Sequence, residues 1–486
     1  MFGVEDVEVK LLSYGPFAEV ERYGEKVFLD PDLLIALEGI GTTRGVDLGE
    51  RFKELIEGGK DLSKLASDFH RESTRRGHSS LTTSLTLQFE VIRCSRVASL
   101  LLVSPMFGSY LQESQRRKKI GRDDFLMPSG IRVEEGRRRV YEEAVKQAYD
   151  AYSWMIDRGI EIEDARYILP LSSKTSLFAC GSLETFMGLI VDARRLGRGS
   201  QYYPEELSII GERVGEVAER VAPKLTEARL HFRIKLPSYP YANPYRRGDG
   251  PVEELIKRCG GEKPTLLGLN VLVDRAEVIR GILEDPAEAH VLNPLIHAIF
   301  LEPMSLAAYH QSIRHRTIPT AIESIYSAID RCLSGQEGNL ITPPSIMNLE
   351  SFLKRFQEAA SRLLEAYEAL VEDGVRPSDA VYLIPQALRI YAIRSYNAFN
   401  LLWPQGYVAM RTCSYSQWEV RKLAYEVWRR IGEEVPWLDE LMGERCKLLG
   451  YCPERRWCPI ILKYVEYDDE RHRKVLEGCS AKDGQP

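Results

Sequence analysis

"AYSWMIDRGIEIEDARYILP" occupies residues 151–170, and "AYEALVEDGVRPSDAVYLIP" occupies residues 366–385. Laid over each other without a gap, they share Ala151/Ala366, Tyr152/Tyr367, Gly159/Gly374, Asp164/Asp379, Ala165/Ala380, Tyr167/Tyr382 and Pro170/Pro385. Most of the other positions keep their apolar or polar type. Ser200–Gln201 and Ser416–Gln417 follow at nearly the same distance. Two helix–turn segments can agree by chance, but so many matches in one frame favour a duplication. A repeat this long means two homologous domains and not a solenoid. The expected division is a first module over 1–240, a linker over 241–261, a second module over 262–465 and a tail over 466–486. A chain of 486 residues is long enough for such a pair.

Local patterns give the elements. "VEVKLLSY" (7–14) and "TLLGLNVLV" (265–273) read as strands. "DPDLLIALEGI" (30–40) reads as a capped helix, and "VYEEAVKQAYDAYSWMIDRG" (140–159) as a helix stopped by glycine. Residues 81–103 are apolar and nearly free of glycine, which predicts one long buried helix. Residues 236–264 are rich in Pro, Gly and Asn, as in a linker. The expected class is α+β, each module a small, mostly antiparallel sheet with long helices.

The net charge of −6, with both signs spread along the chain, argues against general nucleic-acid binding. "VASLLLVSPMF" (97–107) is too short for a membrane span. The charged N-terminus is no secretory signal, so a cytoplasmic place with reduced cysteines is expected. Cys446, Cys452 and Cys458 are spaced by six residues and Cys479 follows, a weak zinc pattern since no Cys-x-x-Cys is present. No metal is the primary expectation.

"QSIRHRTIPTAIES" (311–324) places Arg314, His315 and Arg316 together. Adjacent guanidinium groups repel, so they form either a solvated turn or a site for an anion. His310 and Gln311 precede them and Ser324 closes the pattern. This resembles the signature of the flavin-dependent thymidylate synthases, with its His-Gln-x-x-Arg-His-Arg lead-in. "RTCSYSQWEVR" (411–421) resembles a later segment of that family, and Asn397 stands where the family has the Asn of an Asn-x-Arg element, although Phe399 replaces that Arg. In the first module "GHSS" (77–80), "FEVIRCSR" (89–96) and "QESQRR" (112–117) resemble other family segments.

The resemblance implies reductive methylation of dUMP to dTMP by FAD, with NADPH and methylenetetrahydrofolate as co-substrates. It assigns Arg314, His315 and Arg316 to catalysis, and His315, Arg316 and Asn397 to FAD. It divides the nucleotide ligands between the modules: Gln311, Arg314 and Arg411 in the second, Ser114, Arg116 and Arg166 in the first. The losses are complementary, for Ser104, Tyr326 and Val381 stand where the reciprocal site would need arginine. Arg195 keeps the spacing of Arg411. A dianionic phosphate suits several charge-assisted donors. The family's Glu-His pair, which helps hold FAD, is replaced by Thr83–Ser84 and Asn293–Pro294. An inactive, nucleotide-binding descendant is therefore the alternative. Family members are homotetramers, so a homodimer of this chain would rebuild that assembly.

Overall fold

The structure is a computed structural model that describes residues 2–22, 25–42, 45, 47–233, 241–284, 289–335, 338–454, 458–464 and 470. It divides into two compact units, residues 1–247 with 342–386, and residues 248–341 with 387–486. The compact units do not follow the halves of the repeat, because 342–386 packs with the first.

The first unit holds a four-stranded antiparallel sheet of β1 (Glu8–Gly15), β2 (Thr86–Ser95), β3 (Gly108–Gln112) and β4 (Lys174–Ser182), in the order β1-β2-β4-β3. Strand β2 corrects the helix expected over 81–103. Leu87, Phe89 and Val91 are buried, while Thr86, Gln88 and Glu90 between them are not. That period of two selects a strand. Only α1 (Arg96–Leu102) remains helical after it, started by the Ser95 side chain, which accepts from the Ala98 N–H. The helices of the unit include α2 (Glu135–Ile156), α3 (Leu183–Leu196) and α4 (Glu205–Val221), and Phe186 of α3 meets Phe89 edge-on at 5.3 Å.

Helix α2 packs against the helix Glu350–Glu372, where the Trp154 and Phe352 rings lie 4.9 Å apart. The two repeated segments therefore meet inside this unit. Their tails exchange backbone bonds: Leu171 N–H to Ile384 O at 2.9 Å, and Gln386 N–H to Leu169 O at 3.0 Å.

The second unit has β5 (Thr265–Val271), β6 (Ile296–Ser305), β7 (Thr320–Ile322) and β8 (Arg389–Asn397), in the order β5-β6-β8-β7. All pairings are antiparallel, and the topology is that of the first sheet. Its helices include α5 (Leu306–Ser312), α6 (Ile325–Leu333), α7 (Tyr407–Arg411) and α8 (Trp418–Glu434). Residues 241–261, read as a linker, contain the helix Pro251–Cys259, with Gly250 and Pro251 at its start. No helix among the described residues is long and apolar enough to cross a membrane. Most of the tail, Cys479 included, lies outside the described residues.

Candidate functional site

In the second unit Ser305 ends β6 and caps α5, accepting from the Ala308 N–H. Helix α5 carries the buried His310 and Gln311 and then gives way to tight turns. His315 N–H bonds Ser312 O and Ile318 N–H bonds His315 O, each at 3.1 Å. Arg314, His315 and Arg316 sit on these turns. Arg314 is exposed, and its guanidinium has no acidic partner among the described residues. Arg316 is half-buried and lies 3.4 Å from the Arg314 carbonyl through Nη1.

His315 is the pivot of the cluster. Arg411, the last residue of α7, donates from Nε to His315 Nε2 at 2.6 Å. Tyr407, the first residue of α7, stands edge-on to the imidazole at 5.0 Å and 85°. A ring nitrogen that accepts carries no proton, so this contact puts the His315 proton on Nδ1. Burial, then Arg411, then Arg394 push its pKa down to about 2. The imidazole is a neutral acceptor throughout the physiological range.

Beneath Tyr407 lies an ion pair that the sequence reading missed. Arg394 Nη1 bonds Glu302 Oε2 at 3.1 Å, and Tyr396 donates its hydroxyl to Glu302 Oε1. Glu302 is 0% and Arg394 1% exposed. The guanidinium lies 4.4 Å from the Tyr407 ring centre and 5.2 Å from that of Tyr396. A signal is present in the sequence, for Glu302 and Arg394 are charges at buried positions among the apolar residues of their strands.

The first unit gathers its own set. Arg116 Nε donates to the Glu163 carboxylate, and Arg166 Nε donates to the Glu163 carbonyl at 3.1 Å. The Ser114 hydroxyl accepts from the Arg116 N–H at 3.3 Å. Ser114, Arg116 and Arg166 are thus neighbours, and Arg166 is buried. Arg195 stands apart, exposed and paired with Asp192 at 3.2 Å. Asn397 uses its side-chain oxygen to cap the helix Ala398–Leu402, accepting from the Asn400 N–H at 3.1 Å. Ser324 is fully buried, and its N–H donates to Glu253 Oε1 at 2.8 Å at the start of α6. A carboxylate of the chain itself therefore meets that helix end.

Both units repeat one further device that the sequence reading did not single out. The Ser95 N–H and hydroxyl both donate to Glu206, and those of Ser305 to Glu419 at 2.7 and 2.6 Å. Each glutamate lies in the first turn of a long helix, α4 or α8, and ties it to the end of a strand. Burial raises the Glu206 carboxyl from 4.5 to about 7, although Ser95 and Tyr382 donate to it. The folded state then binds a proton that the unfolded chain releases near pH 4.5. This contribution to stability is full below that pH and fades as pH rises through about 7. The melting temperature of the native chain minus that of Glu206→Gln is therefore expected to shrink between pH 5 and pH 8. A gap independent of pH would show that Glu206 ionises normally.

Cys446, Cys452 and Cys458 line a small pocket together with Cys413. Burial, Glu444 and the neighbouring thiols push Cys446 up to about 11. Among the described residues no three His, Cys, Asp or Glu side chains are gathered to hold a metal ion.

Comparison with known proteins places this arrangement. The thymidylate synthase complementing protein family matches residues 43–224 and 272–437. The chain belongs to this family, that of the flavin-dependent thymidylate synthases. The Geobacter sulfurreducens flavin-dependent thymidylate synthase is 34% identical over 163 residues, covering 33% of this chain and 67% of that protein. The Pyrococcus abyssi enzyme of the same name is 28% identical over 204 residues, 38% of this chain and 80% of its own. Among solved structures, a UMP/dUMP methylase PolB from Streptomyces cacaoi bound with 5-Br dUMP aligns with a TM-score of 0.36 and 20% identity. That alignment covers 46% of this chain and 94% of the other. The two family matches take in the Arg314–His315–Arg316 turns and Arg411 in the second stretch, and Ser114, Arg116 and Arg166 in the first.

Proposed function

We propose that this family member is a FAD-dependent thymidylate synthase that methylates dUMP to dTMP, with one nucleotide bound per chain. The supporting observation is the Arg314–His315–Arg316 turn beside Arg411, in which Arg314 stays exposed without an acidic partner among the described residues. A cation so placed suits a phosphate or a uracil carbonyl, and each charged hydrogen bond contributes roughly 1.5–3 kcal/mol. Gln311, Arg314 and Arg411 would hold the nucleotide together with Ser114, Arg116 and Arg166, supplied by the same chain or by a second copy in a homodimer. This division rests on the complementary losses in the sequence. Glu163 holds Arg116 in the free chain. A phosphate dianion, with more charge and more acceptor atoms, would replace it.

His315 and Arg316 suit a flavin ring, because the guanidinium charge favours electron density on it and a neutral imidazole protonated at Nδ1 can donate a hydrogen bond. Asn397 fits less well, its oxygen being used by Asn400. Bound FAD supplies the hydride that completes the methyl group, with NADPH as its reductant and methylenetetrahydrofolate as the carbon source. The chain's own part is to orient the nucleotide and to keep His315 free of a proton.

A second reading, nucleotide binding without chemistry, is favoured by the missing Glu-His pair. Asn293, which stands in its place, is engaged by the Phe399 N–H at 2.9 Å. Titration of the purified chain with dUMP, alongside its visible spectrum, separates the readings. The first expects one dUMP per chain and a flavin band near about 450 nm. Binding of dUMP by a chain that takes up no added FAD supports the second, and failure of both overturns the proposal.

A further inference from the structure

Helix α7 is only five residues long, yet both of its ends touch His315. Tyr407 and Arg411 are four residues apart and so share one helix face. Tyr407 offers its ring to the imidazole edge, and Arg411 donates to Nε2. A helix this short does not fix its own rotation. The Glu302–Arg394 pair lies under the Tyr407 ring and is closed off from water.

The fold does not need that pair. The two sheets share one topology, and the positions correspond by strand register from the helix-capping Ser182 and Asn397. Val91, opposite Leu177, stands for Glu302, opposite Ala392, because a bulge between Val91 and Cys94 shifts any count from Ser95; Ala179 stands for Arg394 and Gly181 for Tyr396. The first unit builds the same sheet with apolar or absent side chains. Buried ion pairs add little stability over apolar packing, so their presence in one unit alone asks for a local purpose.

We propose that Glu302 and Arg394 are positioning residues, a buried pair that holds Tyr407 and thereby sets His315 as the acceptor that fixes the guanidinium plane of Arg411. The proposal deepens the nucleotide reading, since it accounts for how Arg411 is presented to an anion. Contacts run in one line: Glu302 to Arg394, Arg394 against Tyr407, Tyr407 against His315, and His315 to Arg411. The charged and titratable groups that face His315 are Arg411, Arg394 and Tyr407, with Tyr396 and Glu302 behind them. Removing the pair while keeping the volume, as in Glu302→Leu with Arg394→Met, frees Tyr407 and the start of α7.

The test is nitrogen-15 NMR of the histidines in the intact, ligand-free chain over a pH series. His315→Gln identifies the His315 signals among those of the eight histidines. In the native chain His315 is expected as one neutral tautomer, protonated at Nδ1, down to pH 5. In the folded double variant both tautomers are expected, and the titration midpoint rises by at least one pH unit, a tenfold gain in proton affinity. Arg394→Lys, which keeps a cation but not the guanidinium over the Tyr407 ring, is expected to mix the tautomers as well. An unchanged tautomer and midpoint in either folded variant overturns the proposal. The readout needs no nucleotide, so it stands or falls apart from dUMP binding.

Discussion

Replacing Arg314 with alanine lowers the affinity for dUMP about ten- to hundredfold and leaves the melting temperature where it was. The magnitude follows from one charge-assisted hydrogen bond, roughly 1.5–3 kcal/mol. The unchanged stability follows from the exposure of Arg314 and its lack of an acidic partner among the described residues, so the fold loses no ion pair there. Arg195→Ala is the matched control, since that exposed arginine is paired with Asp192 and should change affinity little. Calorimetric titration of both variants checks the pair. Equal affinities in the native chain and Arg314→Ala would remove Arg314 from the nucleotide site.

Truncating Glu302 to alanine has the opposite profile. It leaves the Arg394 guanidinium buried without its carboxylate, and Tyr396 without its acceptor. Breaking one side of a buried pair costs about 3–5 kcal/mol. A marginally stable domain then loses much of its stability. Urea unfolding is expected to show a lower midpoint for Glu302→Ala, with most of the loss recovered when Arg394→Met is added. The recovery is the informative part: it separates an uncompensated charge from a simple cavity, because a cavity would grow with the second truncation.

The parts of this protein that a sequence shows best are those set by local pattern. The strand over 7–14 appears as Glu8–Gly15, the strand over 265–273 as Thr265–Val271, and the helix over 140–159 as the longer Glu135–Ile156. The segment 81–103 is apolar enough to suggest a buried helix, yet its period of two makes a strand. Leu87, Phe89 and Val91 alternate, and that alternation was on view. The Arg314–His315–Arg316 cluster was legible because its residues are consecutive. The Arg394–Glu302 pair joins residues far apart in the chain and lies on two strands whose pairing no single stretch reveals. Glu206 and Glu419 escaped for the same reason, since each acts on a serine that ends a distant strand. The gathering of Arg116 and Arg166 on Glu163 likewise needed the fold.

One measurement bears most directly on the central claim. Purified chain is incubated with dUMP tritiated at carbon 5, methylenetetrahydrofolate, NADPH and FAD, and release of tritium to water is followed together with dTMP formed. Release and dTMP are expected in equal amounts, both dependent on FAD and both lowered in Arg314→Ala at subsaturating dUMP. A chain that binds dUMP but releases no tritium with every co-substrate present would contradict it.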